Sequence, residues 1–359
     1  MSKKTIQRIE SIKEEIRQTP YHKGTEHHIG KLRAKIAKLK QELQDNIERE
    51  SKKGGGGGYA IKKQGDATVI LIGPPSVGKS TLLNRLTDAK SKVGEYDFTT
   101  LDVIPGMYQY KGANIQLLDV PGLITGAAAG KGNGKQILSV ARNTDLIVLI
   151  TDVNRLSWLK KARNELYEAG IRLDTSPPKV EIEKTVKGGI NIIYPYQNFQ
   201  KNTIKEIAKE LGFKNAKITI KEELSSIQRL VDSFSGDKVY LPSLEVINKS
   251  DLKKIDSKKI LTISAEKNRN LEVLKERIWN KLSLIRVYLK PSKGQEPDLH
   301  HPLILNEGDT VRKAVQSISD ELLDEVDEIM IWGEEAKYPG QKVSLLEPLF
   351  DEAILYFKK

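Results

Sequence analysis

Residues 67–86, ATVILIGPPSVGKSTLLNRL, constrain this chain more than any other stretch. The β-branched and aliphatic run Ala67–Ile72 predicts a strand, and a helical pattern resumes at Ser80. Between them Gly73, Pro74, Pro75, Ser76, Val77, Gly78, Lys79 and Ser80 match the phosphate-loop pattern G-x-x-x-x-G-K-[ST] in full, with Thr81 following. The residue types suit an anion. Glycines let backbone N–H groups turn inward, and the next helix aims its positive end at the phosphates. Lys79 offers a point charge to β/γ oxygens, and Ser80 a hydroxyl to Mg²⁺. The bland alternative is a glycine-rich turn with a chance lysine, and the flanking strand and helix argue against it.

Further motifs follow in order. A hairpin is expected from Leu101–Tyr110 and Ala113–Leu118, and its second strand delivers Asp119-Val120-Pro121-Gly122. Asp119 is placed to support the metal as a strand-end carboxylate, and the Gly122 N–H to meet the γ-phosphate. The glycine-rich segment 123–136 suits a switch ordered by that phosphate. Strand Leu244–Ile247 leads into Asn248-Lys249-Ser250-Asp251. The Asp251 carboxylate can accept both N1–H and N2–H₂ of guanine, a donor pair that adenine lacks. After a strand at Ile260–Ile263 comes Ser264-Ala265-Glu266, where the Ala265 N–H can meet guanine O6. Four motifs in this order, each after a strand, specify a guanine-nucleotide domain.

The chain of 359 residues exceeds one ordinary core. It contains no cysteine, which excludes disulfides, thiolate metal sites and thiol nucleophiles and suits a reducing cytosol. No apolar run approaches bilayer length, so a cytoplasmic location with no membrane partner is expected. The net charge of +11 is uneven, with a basic amino-terminal and central body and an acidic carboxyl-terminal part. That asymmetry fits a polyanion such as RNA, although solvated lysine explains the charge equally well. No DNA partner is expected.

The expected organisation has six segments. Residues 1–53 form a helical hairpin, with helices over 3–18 and 26–50, and the five glycines Gly54–Gly58 open a linker over 54–66. The nucleotide domain runs over 67–176 and resumes over 239–285. An inserted α+β unit occupies 177–238, and a separate small α+β module fills 286–359. On the second helix, Lys31, Arg33, Lys35, Lys38 and Lys40 could meet RNA phosphate or simply face solvent. His300 and His301, before Pro302, are expected in a structural loop.

On these residues the chain resembles the developmentally regulated GTP-binding proteins, a family of Obg-like GTPases. The likeness rests on GPPSVGKS at 73–80, YDFTTLDVIPG at 96–106, DVPGLITGA at 119–127, KGGIN at 187–191, NKSD at 248–251 and SAE at 264–266. The resemblance implies an α/β P-loop GTPase domain, an insertion similar to a ribosomal S5 domain 2-like fold, and a carboxyl-terminal β-grasp module of TGS type. It implies a hydrolase that converts GTP to GDP on the ribosome or ribosomal RNA, with an accessory regulatory protein as a further partner. Lys79, Thr100 and Gly122 then serve catalysis, and Ser80, Thr100 and Asp119 hold Mg²⁺; Thr100 is preferred to Thr99 because related sequences carry cysteine at the first position. Where many small GTPases place a water-orienting glutamine, this chain has Leu123. Related families with an apolar residue there often use K⁺ beside the phosphate loop, held by an asparagine at the position of Ser76; serine is a weaker ligand, so a K⁺ requirement stays open. Two other readings also stay open: a GTP-gated binding module with negligible hydrolysis, and an RNA-remodelling GTPase acting off the ribosome.

Overall fold

The computed structural model describes residues 2–52, 64–87, 104–119, 140–253, 255 and 259–358. In chain order the elements are α1 (Ser2–Gln18), α2 (Glu26–Lys52), β1 (Ala67–Ile72), α3 (Lys79–Leu86), β2 (Ile104–Tyr110), β3 (Ala113–Asp119), β4 (Leu146–Asp152), α4 (Ser157–Glu168), β5 (Ile171–Leu173), β6 (Val180–Lys184), β7 (Ile190–Ile193), α5 (Lys201–Glu210), β8 (Ala216–Ile220), α6 (Ile227–Phe234), β9 (Val239–Leu241), β10 (Ser243–Asn248), β11 (Leu261–Thr262), α7 (Leu271–Leu282), β12 (Leu284–Leu289), β13 (Asp298–Asn306), α8 (Val311–Ile318), α9 (Leu322–Glu325), β14 (Glu328–Trp332), β15 (Gln341–Lys342) and β16 (Ala353–Lys358). They fall into two compact units, one built from α1, α2 and residues 167–240, the other from the rest of the described chain.

The second unit carries a six-stranded sheet in the order β11-β10-β4-β1-β3-β2. Strand β1 pairs in parallel with β3 and β4, and β10 in parallel with β4 and β11. Only the β2–β3 hairpin runs antiparallel in this sheet. Such a central position buries a strand on both faces, so β1 and β4 read as continuous apolar runs and every residue of both is buried. Leu82, Leu83 and Leu86 of α3 and Leu274, Ile278 and Trp279 of α7 share that core. The carboxyl ends of β1, β3, β4 and β10 therefore bring Gly73, Asp119, Asp152 and Asn248 to one edge of the sheet, where open α/β sheets bind ligands.

The same unit contains a five-stranded sheet, β13-β12-β16-β14-β15, whose core includes Val311, Ala314 and Val315 of α8. One expectation changes here, and a boundary becomes sharper. Helix α7 ends at Leu282, because Ser283 turns left-handed (φ 50°), and Leu284 and Ile285, the last residues of the expected nucleotide-domain segment, enter β12. His300, His301 and Pro302 lie inside β13 rather than in a loop. Proline fits because β13 is an edge strand, where a missing N–H leaves no ladder bond broken, and the register with β12 shifts beside it.

The first unit differs from the expected layout. The amino-terminal helices do not stand apart: Ala34 of α2 belongs to the same core as Ile204, Ile207 and Ala208 of α5 and Ile227 of α6. Their apolar faces require a partner, and the insertion supplies it. The sheet β6-β8-β7 completes this unit's α+β fold. Helix α6 begins at Ile227, where the Ser226 hydroxyl caps it by accepting from the Arg229 N–H at 3.2 Å. Of the five basic residues singled out above on α2, three are engaged inside this unit: Lys31 with Glu206 at 3.1 Å, Arg33 with Gln228 at 3.1 Å and Lys40 with Glu168 at 2.9 Å.

A buried ion pair anchors the first unit. Arg172 donates to Asp232 through Nε at 2.6 Å and Nη2 at 3.0 Å, and Gln228 donates to the same carboxylate at 2.9 Å. Removing one partner of a buried pair costs about 3–5 kcal/mol, because the other charge stays desolvated. Asp232→Ala is therefore expected to lower the unfolding temperature of the full chain by several degrees. A thermal melt that matches wild type would show the pair contributes nothing.

Candidate functional site

The phosphate loop lies between β1 and α3. Two of its glycines are required by their surroundings: a Cβ on Gly73 would meet the Ile150 carbonyl oxygen at 2.5 Å, and one on Gly78 would meet Asn248 Nδ2 at 2.5 Å. Gly78 also has φ 93°, a left-handed backbone that side chains disfavour.

Every carbonyl from Gly73 to Val77 accepts a hydrogen bond from a side chain. Lys79 Nζ donates to Gly73 and Pro74 at 3.2 and 3.3 Å, and Arg155 Nη1 donates to Pro75 at 3.0 Å. Lys249 Nζ donates to Ser76 at 2.7 Å, and Asn248 Nδ2 to Val77 at 2.9 Å. A peptide plane is trans and rigid, so a carbonyl drawn outward turns the next residue's N–H the opposite way. After Pro75, Ser76 and Val77, where the next residue carries an N–H, the loop is thus pre-organised to present that group to an anion.

The other sequence-derived residues gather around it. Ser80 and Thr81 begin α3, and the Ser80 hydroxyl donates to Asp119 Oδ2 at 2.8 Å. Asp119 Oδ1 is buried without a hydrogen-bond partner among the described residues. An unpaired carboxylate oxygen beside a hydroxyl is a fitting place for a hard cation such as Mg²⁺. The Lys79 ammonium is buried, and desolvation pulls its pKa below the ordinary lysine value, with Asp119 opposing that shift.

Asn248 joins the loop to the base-side residues, since its Oδ1 accepts from the Ala265 N–H at 3.0 Å. This N–H, expected at guanine O6, is engaged with Asn248, so a role at O6 requires it to be shared or exchanged. The Ser264 hydroxyl donates to Asp251, and this bond holds the Asp251 carboxyl below the usual carboxylate range. Glu266 is exposed beyond Ala265. Thr99, Thr100, Gly122, Leu123 and the glycines 54–58 lie outside the described residues.

Two residues were not anticipated from the sequence. Arg155 reaches the loop from beyond β4, and Asp152, at the end of that strand, holds its guanidinium through Nε at 3.0 Å. The signal was present as Asp152-Val153-Asn154-Arg155 directly after a buried strand, but nothing local says that this strand lies beside β1.

Comparison with known proteins agrees with this geometry. Residues 68–184 match a family described as "50S ribosome-binding GTPase", and residues 187–284 match the C-terminal region described for that domain. The chain is 39% identical to developmentally-regulated GTP-binding protein 1 of Xenopus laevis, over 99% of this chain and 99% of that protein. The chain belongs to the developmentally regulated GTP-binding protein family. An uncharacterized GTP-binding protein of Methanocaldococcus jannaschii is 44% identical, over 97% of this chain and 91% of its own length. Among solved structures, the YchF GTPase of Schizosaccharomyces pombe aligns with 84% of this chain and 100% of its own, at 13% identity and a TM-score of 0.44. As a member of the developmentally regulated GTP-binding protein family, this chain is a P-loop GTPase that binds GTP and GDP, usually with Mg²⁺. No helix among the described residues is long and apolar enough to cross a membrane.

Proposed function

We propose that this GTPase acts on the large ribosomal subunit during translation, in the cytoplasm, binding in its GTP state and releasing after hydrolysis. The observation that carries this reading is the match of residues 68–184 to a family described as ribosome-binding. The +11 net charge supports it, since ribosomal RNA is a polyanion. Engagement of Lys31, Arg33 and Lys40 within their own unit directs attention away from α2 as the RNA-facing surface. The carboxyl-terminal sheet, read as a TGS module, belongs to the acidic part of the chain and so suits an accessory-protein contact better than RNA.

In the proposed assignment the loop N–H groups from Ser76 to Ser80 cradle the phosphates. Lys79 leaves the Gly73 and Pro74 carbonyls for the β/γ oxygens and stabilises charge as the γ-phosphoryl transfers. Ser80, Asp119 and Thr100 hold Mg²⁺, which supplies charge neutralisation to those oxygens when bound. Asp251 reads guanine, Lys249 and Asn248 keep the loop and base side in register, and the Gly122 N–H meets the γ-phosphate. Leu123 has no group that can orient water, so hydrolysis by the protein alone is slow.

Measuring GTP turnover with and without large subunits, in potassium and in sodium, tests this. The expected result is slow basal turnover and strong stimulation by the subunit; a transition-state charge supplied from outside raises other GTPases by about 10³–10⁵. Higher rates in potassium would place a cation beside Ser76. Unchanged turnover and no GTP-dependent co-sedimentation would sink the ribosomal reading while leaving the GTPase intact.

A further inference from the structure

We propose that Arg155 is a positioning residue of the phosphate loop, holding the Pro75 carbonyl outward so that the Ser76 N–H faces the phosphates before nucleotide arrives. The inference rests on the nucleotide-binding reading of the loop and adds a residue that no motif contains.

The argument starts from the two prolines. Pro74 and Pro75 have no N–H, so after Gly73 the first backbone donor the loop can offer is that of Ser76. Its direction is set by the Pro75–Ser76 peptide plane, in which the carbonyl and the N–H point opposite ways. Arg155 Nη1 bonds that carbonyl at 3.0 Å and thereby fixes the plane. Ser76 has φ 60°, a left-handed conformation that costs a serine energy and is held more firmly with outside support. The support comes from both sides, as Arg155 holds the carbonyl before Ser76 and Lys249 the carbonyl of Ser76 itself.

Arg155 is in turn well placed to hold. Its Nε and Nη2 bond one oxygen of Asp152 at 3.0 and 2.5 Å, and Asp152 is only 5% exposed. The other Asp152 oxygen accepts from the Asn154 N–H at 3.1 Å, and Thr151 Oγ1 donates to the Arg155 carbonyl at 2.9 Å. The turn that carries the arginine is therefore tied at its backbone and at its head. A lysine here could not span the arrangement, since one ammonium lacks the planar fork that reaches a carboxylate and a carbonyl together.

The test uses the full chain and compares GDP with GMP, which shares the base and ribose but has no β-phosphate for the loop to cradle. Arg155→Ala is expected to weaken GDP binding about tenfold, the value of one charge-assisted hydrogen bond, and to leave GMP within about twofold. In steady state, KM for GTP rises while kcat at saturation changes little, because the arginine acts through the loop. Arg155→Ala leaves the Asp152 carboxylate without its cation, so Asp152→Asn with Arg155→Met is made alongside; it removes both charges and keeps the stem. The double variant should show the same GDP-selective loss. GDP affinity equal to wild type in the double variant, or equal losses for GMP and GDP, overturns the proposal. Failure of wild type itself to bind GDP would instead overturn the underlying reading of the loop.

Discussion

Lys79→Ala is expected to abolish measurable hydrolysis and to weaken GTP and GDP binding by about tenfold to a hundredfold or more. The lysine is 8% exposed, and among the described residues its Nζ makes two long bonds, 3.2 and 3.3 Å, to the Gly73 and Pro74 carbonyls. An ammonium desolvated to this degree and held by neutral acceptors gains strongly when a phosphate replaces them, and a charge-assisted contact is worth about 1.5–3 kcal/mol. The loss extends beyond binding, because removing one preorganised charge or donor from a transition state typically slows chemistry by about 10²–10³. The measurements are a GDP titration and single-turnover GTP cleavage at saturating nucleotide. The variant keeps the loop's outer ties, since Arg155, Lys249 and Asn248 still hold Pro75, Ser76 and Val77. Nucleotide affinity equal to wild type would remove Lys79 from the site.

Asp251→Asn should exchange guanine for xanthine preference. In the proposed assignment the carboxylate offers two acceptors to the N1–H and N2–H₂ of guanine, whereas an amide offers one acceptor and one donor, and the donor then faces a donor. GTP affinity is expected to fall at least about tenfold, with xanthosine triphosphate tolerated better, because its C2 carbonyl accepts from the new amide. The Ser264 hydroxyl holds the Asp251 carboxyl below the ordinary carboxylate range, so guanine preference is expected to weaken only in acid. A binding-competition assay between GTP and xanthosine triphosphate decides the matter, and unchanged GTP preference would refute the role of Asp251.

Both predictions concern residues that were legible as motifs, and the reason is local. A phosphate loop needs a strand, glycines at fixed spacing, a lysine and a helix start, all within residues 67–86. The order of Asp119, Asn248 and Asp251 behind strands was equally readable, because each sits at the carboxyl end of an apolar run. The amino-terminal helices of the first unit were visible for the same reason: α1 and α2 follow the periodicity of their own side chains.

Only tertiary structure decided what lies behind those motifs. Arg155 and Lys249 reach the loop from positions 80 and 173 residues away, and only the sheet order β10-β4-β1 makes them its neighbours. The basic face of α2 looked free because its partners Glu168, Glu206 and Gln228 stand far along the chain, and the helix pair looked independent because the core that receives it belongs to the insertion. Pro302 read as a break, and only the edge position of β13 makes proline compatible with a strand. Local stereochemistry is written in neighbouring residues and so determined the nucleotide chemistry. Which carbonyls are held, which charges are already paired and which strand lies at an edge depend on contacts between distant segments, and those exist only once the chain has folded.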